Sequence, residues 1–113
     1  MFKFMIVFYD PHPNLKEFER GYARFLGMVE QIPLITRRQV VHVIGSPLGA
    51  SPYYRIIELY FTDEETMQTA LNSEAGQIVG SALHQAFLPR NFRFETAFTE
   101  VYEEAGGVTP PAH

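Results

Sequence analysis

Two stretches of this chain are apolar on both faces of a β-strand, and no other feature restricts the fold as much. In Phe2-Lys3-Phe4-Met5-Ile6-Val7-Phe8-Tyr9, the side chains of Phe2, Phe4, Ile6 and Phe8 point one way and those of Met5, Val7 and Tyr9 the other. Tyr53 to Phe61 behaves likewise, with Ile57, Leu59 and Phe61 opposed by Tyr54, Ile56 and Tyr60. An antiparallel sheet with one wet face alternates apolar with polar residues. A sheet made from these strands needs cover on both sides.

The remaining elements supply cover for one side. Asp10-Pro11-His12-Pro13 ends the first strand, and Asn14 with Glu17 has the form of a capping box. Leu15, Phe18, Tyr22, Phe25, Leu26 and Val29 recur at three- and four-residue steps, which predicts an amphipathic helix closed by Pro33. Gln39 to Ile44 reads as a second strand, joined by the turn-rich segment Gly45 to Pro52 to a third over Tyr53 to Phe61. Thr62 and Glu65 form a capping box ahead of Met67, Ala70 and Leu71. Asn72-Ser73 then breaks the helix before a second segment carrying Ala75, Val79, Ala82, Leu83 and Ala86. Phe92 to Tyr102 is the last strand. The order βαββαβ predicts a ferredoxin-like α+β protomer, a four-stranded antiparallel sheet with both helices on one face. The domain spans residues 1–104, and residues 105–113 have the composition of a flexible tail. The uncovered sheet face is larger than the apolar patch a soluble monomer tolerates. We therefore expect a homodimer through that face, two sheets enclosing a dimeric α/β barrel.

Composition excludes several functions. With no cysteine, the chain has no disulfides, thiolate metal sites or cysteine nucleophile. A net charge of −4 is the wrong sign for tracking phosphates, and Arg55-Ile56-Ile57-Glu58-Leu59-Tyr60-Phe61 lacks the glycines of an RNA-recognition strand, so no nucleic acid is expected. The longest apolar run, Met5 to Tyr9, is far short of the roughly 20 residues that span a bilayer. No basic segment followed by an apolar stretch opens the chain, and a cytoplasmic protein with no membrane partner is expected. His12, His42, His84 and His113 lack ligand spacing, so no metal and no cofactor is expected. Neither a phosphate loop nor a nucleophile elbow is present.

Candidate chemistry rests on polar residues within apolar segments. His42 lies among Val40, Val41, Val43 and Ile44, placed either to relay a proton or to serve as a hydrogen-bonded core or interface histidine. Glu58 sits between Ile57 and Leu59. Enclosed, it suits a general base; paired with Arg55, Arg38 or Arg93 it is a salt bridge. Tyr22, Tyr54 and Tyr60 offer hydroxyls to an aromatic-walled cavity or are ordinary core residues. His84 falls about 100° from Leu83 on the helix, off the centre of the apolar stripe and half exposed.

The Phe-rich opening strand, the helix running into Ile32-Pro33-Leu34, the stretch Tyr53 to Asp63 and the break Ala70-Leu71-Asn72-Ser73-Glu74-Ala75-Gly76 together resemble the EthD-like proteins, named for ethyl tert-butyl ether degradation. The likeness covers residues 2–102. It implies a dimeric α/β barrel with a cavity between sheet and helices, in a superfamily that includes cofactor-free monooxygenases, isomerases and haem proteins. Two family positions differ: a first-helix histidine aligns with Phe25, and a later aspartate falls near Leu83 or His84. Glu58 matches the family's third-strand glutamate. The resulting expectation is a small apolar or aromatic molecule held between sheet and helices. Glu58 and His42 are the catalytic pair, and Tyr22, Phe25, Tyr54, Tyr60 and His84 contact the substrate. The chemistry is cofactor-independent oxidation or proton transfer in catabolism. The competing expectations are a non-catalytic binding or accessory protein and, further off, a haem binder using His42 or His84.

Overall fold

The computed structural model describes residues 1–103, so the expected tail at 105–113 lies outside the described residues. The chain forms β1 (Phe2–Tyr9), α1 (Leu15–Val29), β2 (Arg37–His42), β3 (Tyr53–Phe61), α2 (Glu64–Leu71), α3 (Glu74–Ala82) and β4 (Phe94–Glu100). A π-helical turn, Leu83–Phe87, and a 3-10 turn, Leu88–Arg90, extend α3 toward β4. The sheet is antiparallel in the order β2-β3-β1-β4, the ferredoxin-like arrangement expected from the element order. No described helix is long and apolar enough to cross a membrane.

The helices cover one face of the sheet. From β1 they bury Ile6 and Phe8, and from β3 Ile57, Leu59 and Phe61. Phe18, Tyr22, Phe25 and Val29 form the inward stripe of α1. Phe8 is the hub of an aromatic cluster, with ring centroids 5.0 Å from Phe87, 5.4 Å from Phe18, 5.8 Å from Tyr22 and 5.9 Å from Phe25. Such ring pairs add about 0.5–1.5 kcal/mol each beyond their buried area.

On the other face the register sets Lys3, Met5, Val7 and Tyr9 beside Tyr60, Glu58, Ile56 and Tyr53 of β3. Arg37, Gln39 and Val41 of β2 and Glu95, Ala97 and Thr99 of β4 complete it. No described helix packs there. The pairing shifts register between Phe8 and Tyr9, because Phe8 faces Arg55 while Tyr9 faces Tyr53. Tyr54 is the extra residue. This β-bulge turns Tyr54 to the helix side, where its ring meets Phe18 at 5.5 Å, rather than to the face that strict alternation assigns it.

Several boundaries move for identifiable reasons. Asn14 makes no side-chain cap, so the expected box at the start of α1 is not formed. The cap of α2 is Asp63, not Thr62: its carboxylate accepts the Thr66 N–H at 2.7 Å. β2 starts at Arg37 and ends at His42, two residues ahead of the predicted span at each end. β4 starts at Phe94 because Phe92 is folded into the core, its N–H bonded to the Phe87 carbonyl after Asn91 turns left-handed at φ 62°.

Candidate functional site

A ligand cavity is expected between sheet and helices; beneath α1 that space is filled by packed rings. Phe25, expected to contact the substrate, is 1% exposed and lies 5.4 Å from Phe87, edge to face. The open volume lies further along, where α3 and its π-helical extension pass over the edge strand β4. There a groove of about 580 Å³ runs between Phe4, Phe94 and Phe98 on the sheet and Val79, Leu83 and His84 on the helix. Two glycines of α3, Gly76 and Gly80, also line it. A Cβ on Gly80 would have nothing within 4 Å, so the missing side chain is part of the groove's width. π-helical turns widen the backbone and recur at functional sites.

His84 is the groove's principal polar side chain on the helix. Its Nδ1 lies 3.0 Å from the Gly80 carbonyl, which only accepts, so Nδ1 carries the proton and donates. In the neutral ring Nε2 is then left as an acceptor. The imidazole stands edge-on to Phe94 with centroids 5.9 Å apart. Thr96 adds a polar side chain on the strand side. Three phenyl walls and few polar groups match the usual composition of a small-molecule site.

A second constellation gathers at the start of β3. Arg55, 8% exposed, lies between the rings of Tyr22 and Tyr54, 4.6 and 4.7 Å from their centroids. Its two terminal nitrogens donate to the Glu19 carboxylate at 2.7 and 2.9 Å, and the Tyr54 hydroxyl donates to the same group at 2.7 Å. The Arg55 hydrogen bond, ahead of the other favourable contacts, holds the Glu19 carboxyl below its ordinary range, with His42 adding a smaller charge effect. Burial alone disfavours a charged guanidinium, yet Glu19 outweighs it and the Arg55 pKa is raised. Burial pushes the Tyr22 phenol up to about 12. The Tyr22 hydroxyl and Arg55 Nε are buried without a hydrogen-bond partner.

The remaining expected site residues lie elsewhere. Glu58 and Tyr60 face away from the helices. Glu58 accepts from Lys3 Nζ at 3.1 Å and from Gln39 Nε2 at 2.9 Å, so its salt bridge is to Lys3 rather than to Arg55, Arg38 or Arg93. His42 pairs with Arg55 across the sheet and is exposed on the helix side. Glu58 and His42 therefore stand on opposite faces and cannot act on one ligand within a single protomer. The structure brings Tyr22, Tyr54 and His42 to the Arg55 cluster, sets His84 alone on the groove and leaves Phe25 in the core. Glu19 was not singled out from the sequence; the available signal was its place on α1 three residues before Tyr22, on the same flank of the helix. Among the described residues, no group of three or more histidine, aspartate or glutamate side chains is placed to hold a metal ion.

No protein-family model matches the chain, and no curated protein matches it. Solved structures do. An ethyl tert-butyl ether d (EthD) family protein from Bacillus halodurans superposes with a TM-score of 0.79 at 22% identity, over 90% of this chain and 99% of that one. SnoaB, a cofactor-independent oxygenase from Streptomyces nogalater, gives 0.58 at 17% identity, over 91% and 94%. A dimeric protein of unknown function with a ferredoxin-like fold from Bacteroides fragilis gives 0.61 at 10% identity, over 88% and 95%. The chain has the ferredoxin-like α+β fold of the EthD family protein over nearly its whole length, and the likeness read from its strands and helix break extends to its architecture.

Proposed function

We propose that this chain is an EthD-like protein that binds a small apolar or aromatic molecule in the groove between α3 and β4 and transfers a proton to or from it. The observation that carries this reading is the groove itself: about 580 Å³, walled by Phe4, Phe94 and Phe98, with one imidazole whose tautomer leaves Nε2 as acceptor. In this position His84 takes the part that sequence alone gave to Glu58 and His42. A neutral imidazole with Nε2 free to accept is suited to remove a proton from a hydroxyl or an activated C–H. Removing that proton leaves an electron-rich anion, the form of substrate on which oxidation without a cofactor begins. The fold shared with SnoaB is in keeping with that class of chemistry, catabolic or otherwise.

Binding without turnover is the second reading. One observation favours it: His84 donates to the Gly80 backbone carbonyl rather than to the orienting carboxylate of a catalytic triad.

The test is calorimetric titration with 1-naphthol, a flat two-ring aromatic carrying one hydroxyl. Binding with a dissociation constant on the order of 0.1 mM is expected for so small a ligand. Gly80→Leu projects an aliphatic side chain into the groove from a position whose Cβ has nothing within 4 Å, and should weaken binding at least tenfold while leaving the fold intact. Affinity unchanged in Gly80→Leu would place the ligand elsewhere and end this reading. His84→Gln separates enzyme from binder: loss of turnover with affinity kept assigns proton transfer to His84.

A further inference from the structure

The chain carries a net charge of −4, yet four of its nine basic residues, Lys16, Arg20, Arg24 and Arg90, gather about one helix. Lys16, Arg20 and Arg24 stand at four-residue steps along α1 and form one ridge. Like charges one turn apart on a helix repel, so the fold gains nothing from this spacing. Both acids of α1 are already engaged, Glu19 with Arg55 and Glu17 with Arg90 of the 3-10 turn, each at 2.7 Å. Arg90 Nη1 also donates to the Ala86 carbonyl at 3.3 Å, so that side chain is held at two points. Among the described residues neither Arg20 nor Arg24 has a salt bridge.

These cations border a hollow. Arg20, Arg24 and Arg90 line a cleft of about 130 Å³ between α1 and the extension of α3, where Gly21, Phe25 and Ala86 supply apolar lining. Met28, Ala82, Ala86 and Arg90 are shared with an adjoining trough of about 560 Å³, which continues past Ile78 to Glu74 at the start of α3. Ile78 is 48% exposed there. The joint hollow is cationic at one end and apolar in the middle. It lies on a different flank of α3 from the groove of His84, which uses Val79 and Leu83. The charges decide what fits the cationic end. Three arginines against one glutamate leave a surplus of two positive charges. A phosphate monoester carries about −1.5 to −2 at pH 7, whereas a monocarboxylate would leave one charge unmatched. Guanidinium forks also match the spacing of phosphate oxygens.

We infer that this cleft binds the phosphoryl group of a small phosphate monoester, whose apolar body lies along Met28, Ala82 and Ile78. Arg20 and Arg24 meet the phosphate oxygens, and Arg90, fixed by Glu17 and the Ala86 carbonyl, adds the third guanidinium. A recess between two helices suits a small molecule, because an acidic helix of another protein would need these charges on an open face. The site is separate from the α3–β4 groove and does not depend on what that groove binds.

The probe is phenyl phosphate, titrated calorimetrically into the whole chain at neutral pH and low salt. A dissociation constant on the order of 0.1 mM is expected for a ligand of this size. Arg20→Gln with Arg24→Gln should weaken binding by about tenfold or more. Both side chains are exposed on α1, so the fold survives their replacement. Benzoate, with the same ring and a single charge, should bind more weakly than phenyl phosphate, and so should inorganic phosphate, which has no apolar body. Met28→Gln should narrow the gap between phenyl phosphate and inorganic phosphate. Gly80→Leu should leave phenyl phosphate affinity unchanged, so this titration and the one with 1-naphthol fail independently. Absence of saturable binding overturns the assignment, as does an affinity that the two glutamines leave intact. Benzoate or inorganic phosphate binding as tightly as phenyl phosphate would reduce the cleft to an unselective anion contact. A glutamate-rich peptide binding in place of phenyl phosphate would make it a protein-docking surface. Either result overturns the assignment as well.

Discussion

Arg55 is a charged side chain that folding removes from water without completing its hydrogen bonds. Glu19 and the two flanking tyrosines compensate most of that desolvation, but Nε and the neighbouring Tyr22 hydroxyl are left without partners. A buried, unpaired hydroxyl costs about 1–3 kcal/mol relative to a group with no polar atom. Tyr22→Phe keeps the ring against Phe8, Phe18 and the guanidinium and deletes only the oxygen. It should therefore stabilise the chain by about 1 kcal/mol in urea unfolding; a loss of stability would show that the hydroxyl is paired in solution. At this scale the sequence was half legible. Polar residues inside apolar strands mark burial at Glu58 and Arg55, which are both buried, but not at His42, which is exposed near the end of β2. The partners are not marked, because Lys3 and Gln39 reach Glu58 from two different strands across the sheet and Glu19 reaches Arg55 from a helix. Only the three-dimensional register brings them together.

Among the elements, the junction between α2 and α3 shows how much a short motif can encode. Ser73 Oγ accepts the Gly76 N–H and donates to the Ala70 carbonyl, tying the start of one helix to the end of the other. The turn is so close that a Cβ on Gly76 would lie 2.3 Å from the Leu71 carbonyl oxygen and 2.7 Å from that of Ala70, both backbone atoms with no freedom to give way. The glycine in Asn-Ser-Glu-x-Gly is thus a steric requirement of the helix break. Gly76→Ala should cost about 3 kcal/mol, at the top of the range for overpacking. Gly80→Ala, four residues on in the same helix with open space around it, should gain up to about 1 kcal/mol from helix propensity. Opposite shifts in thermal midpoint check the pair, and similar shifts for both would remove the steric account. The break itself was readable in the sequence, because Asn and Ser compete with helical hydrogen bonds. The β-bulge at Tyr54 and the π-helical turn were not. Each is one residue's departure from a regular period, and no residue type announces it.

For the whole molecule, the sheet is the part that the sequence describes best and the ligand groove the part it describes least. Period-2 alternation reports each strand's two faces directly, so the apolar open face around Met5, Val7, Val41 and Ile56 was visible before any packing was known. A groove is what remains after helices have packed, and here it opens over β4 because Phe25 and Phe87 have filled the space beneath α1. The open face makes the last prediction. Lys3 and Gln39 are engaged by Glu58, and Arg37 and Glu95 stand on the edge strands, which leaves Met5, Val7, Val41 and Ile56 as the apolar centre of that face. A two-fold partner presents the same apolar surface, so pairing removes it from water on both copies at about 25 cal/mol per Å². The wild-type chain should sediment at twice its 12.9 kDa at micromolar concentration. Val7→Asp puts a carboxylate at the centre of that contact, twice over by symmetry, and should shift the protein to a single-chain mass with an unchanged far-ultraviolet spectrum, because the side chain faces away from the helices. A wild-type chain that stays single at tens of micromolar, or a Val7→Asp chain that stays paired, would mean that the open face is not where two copies meet.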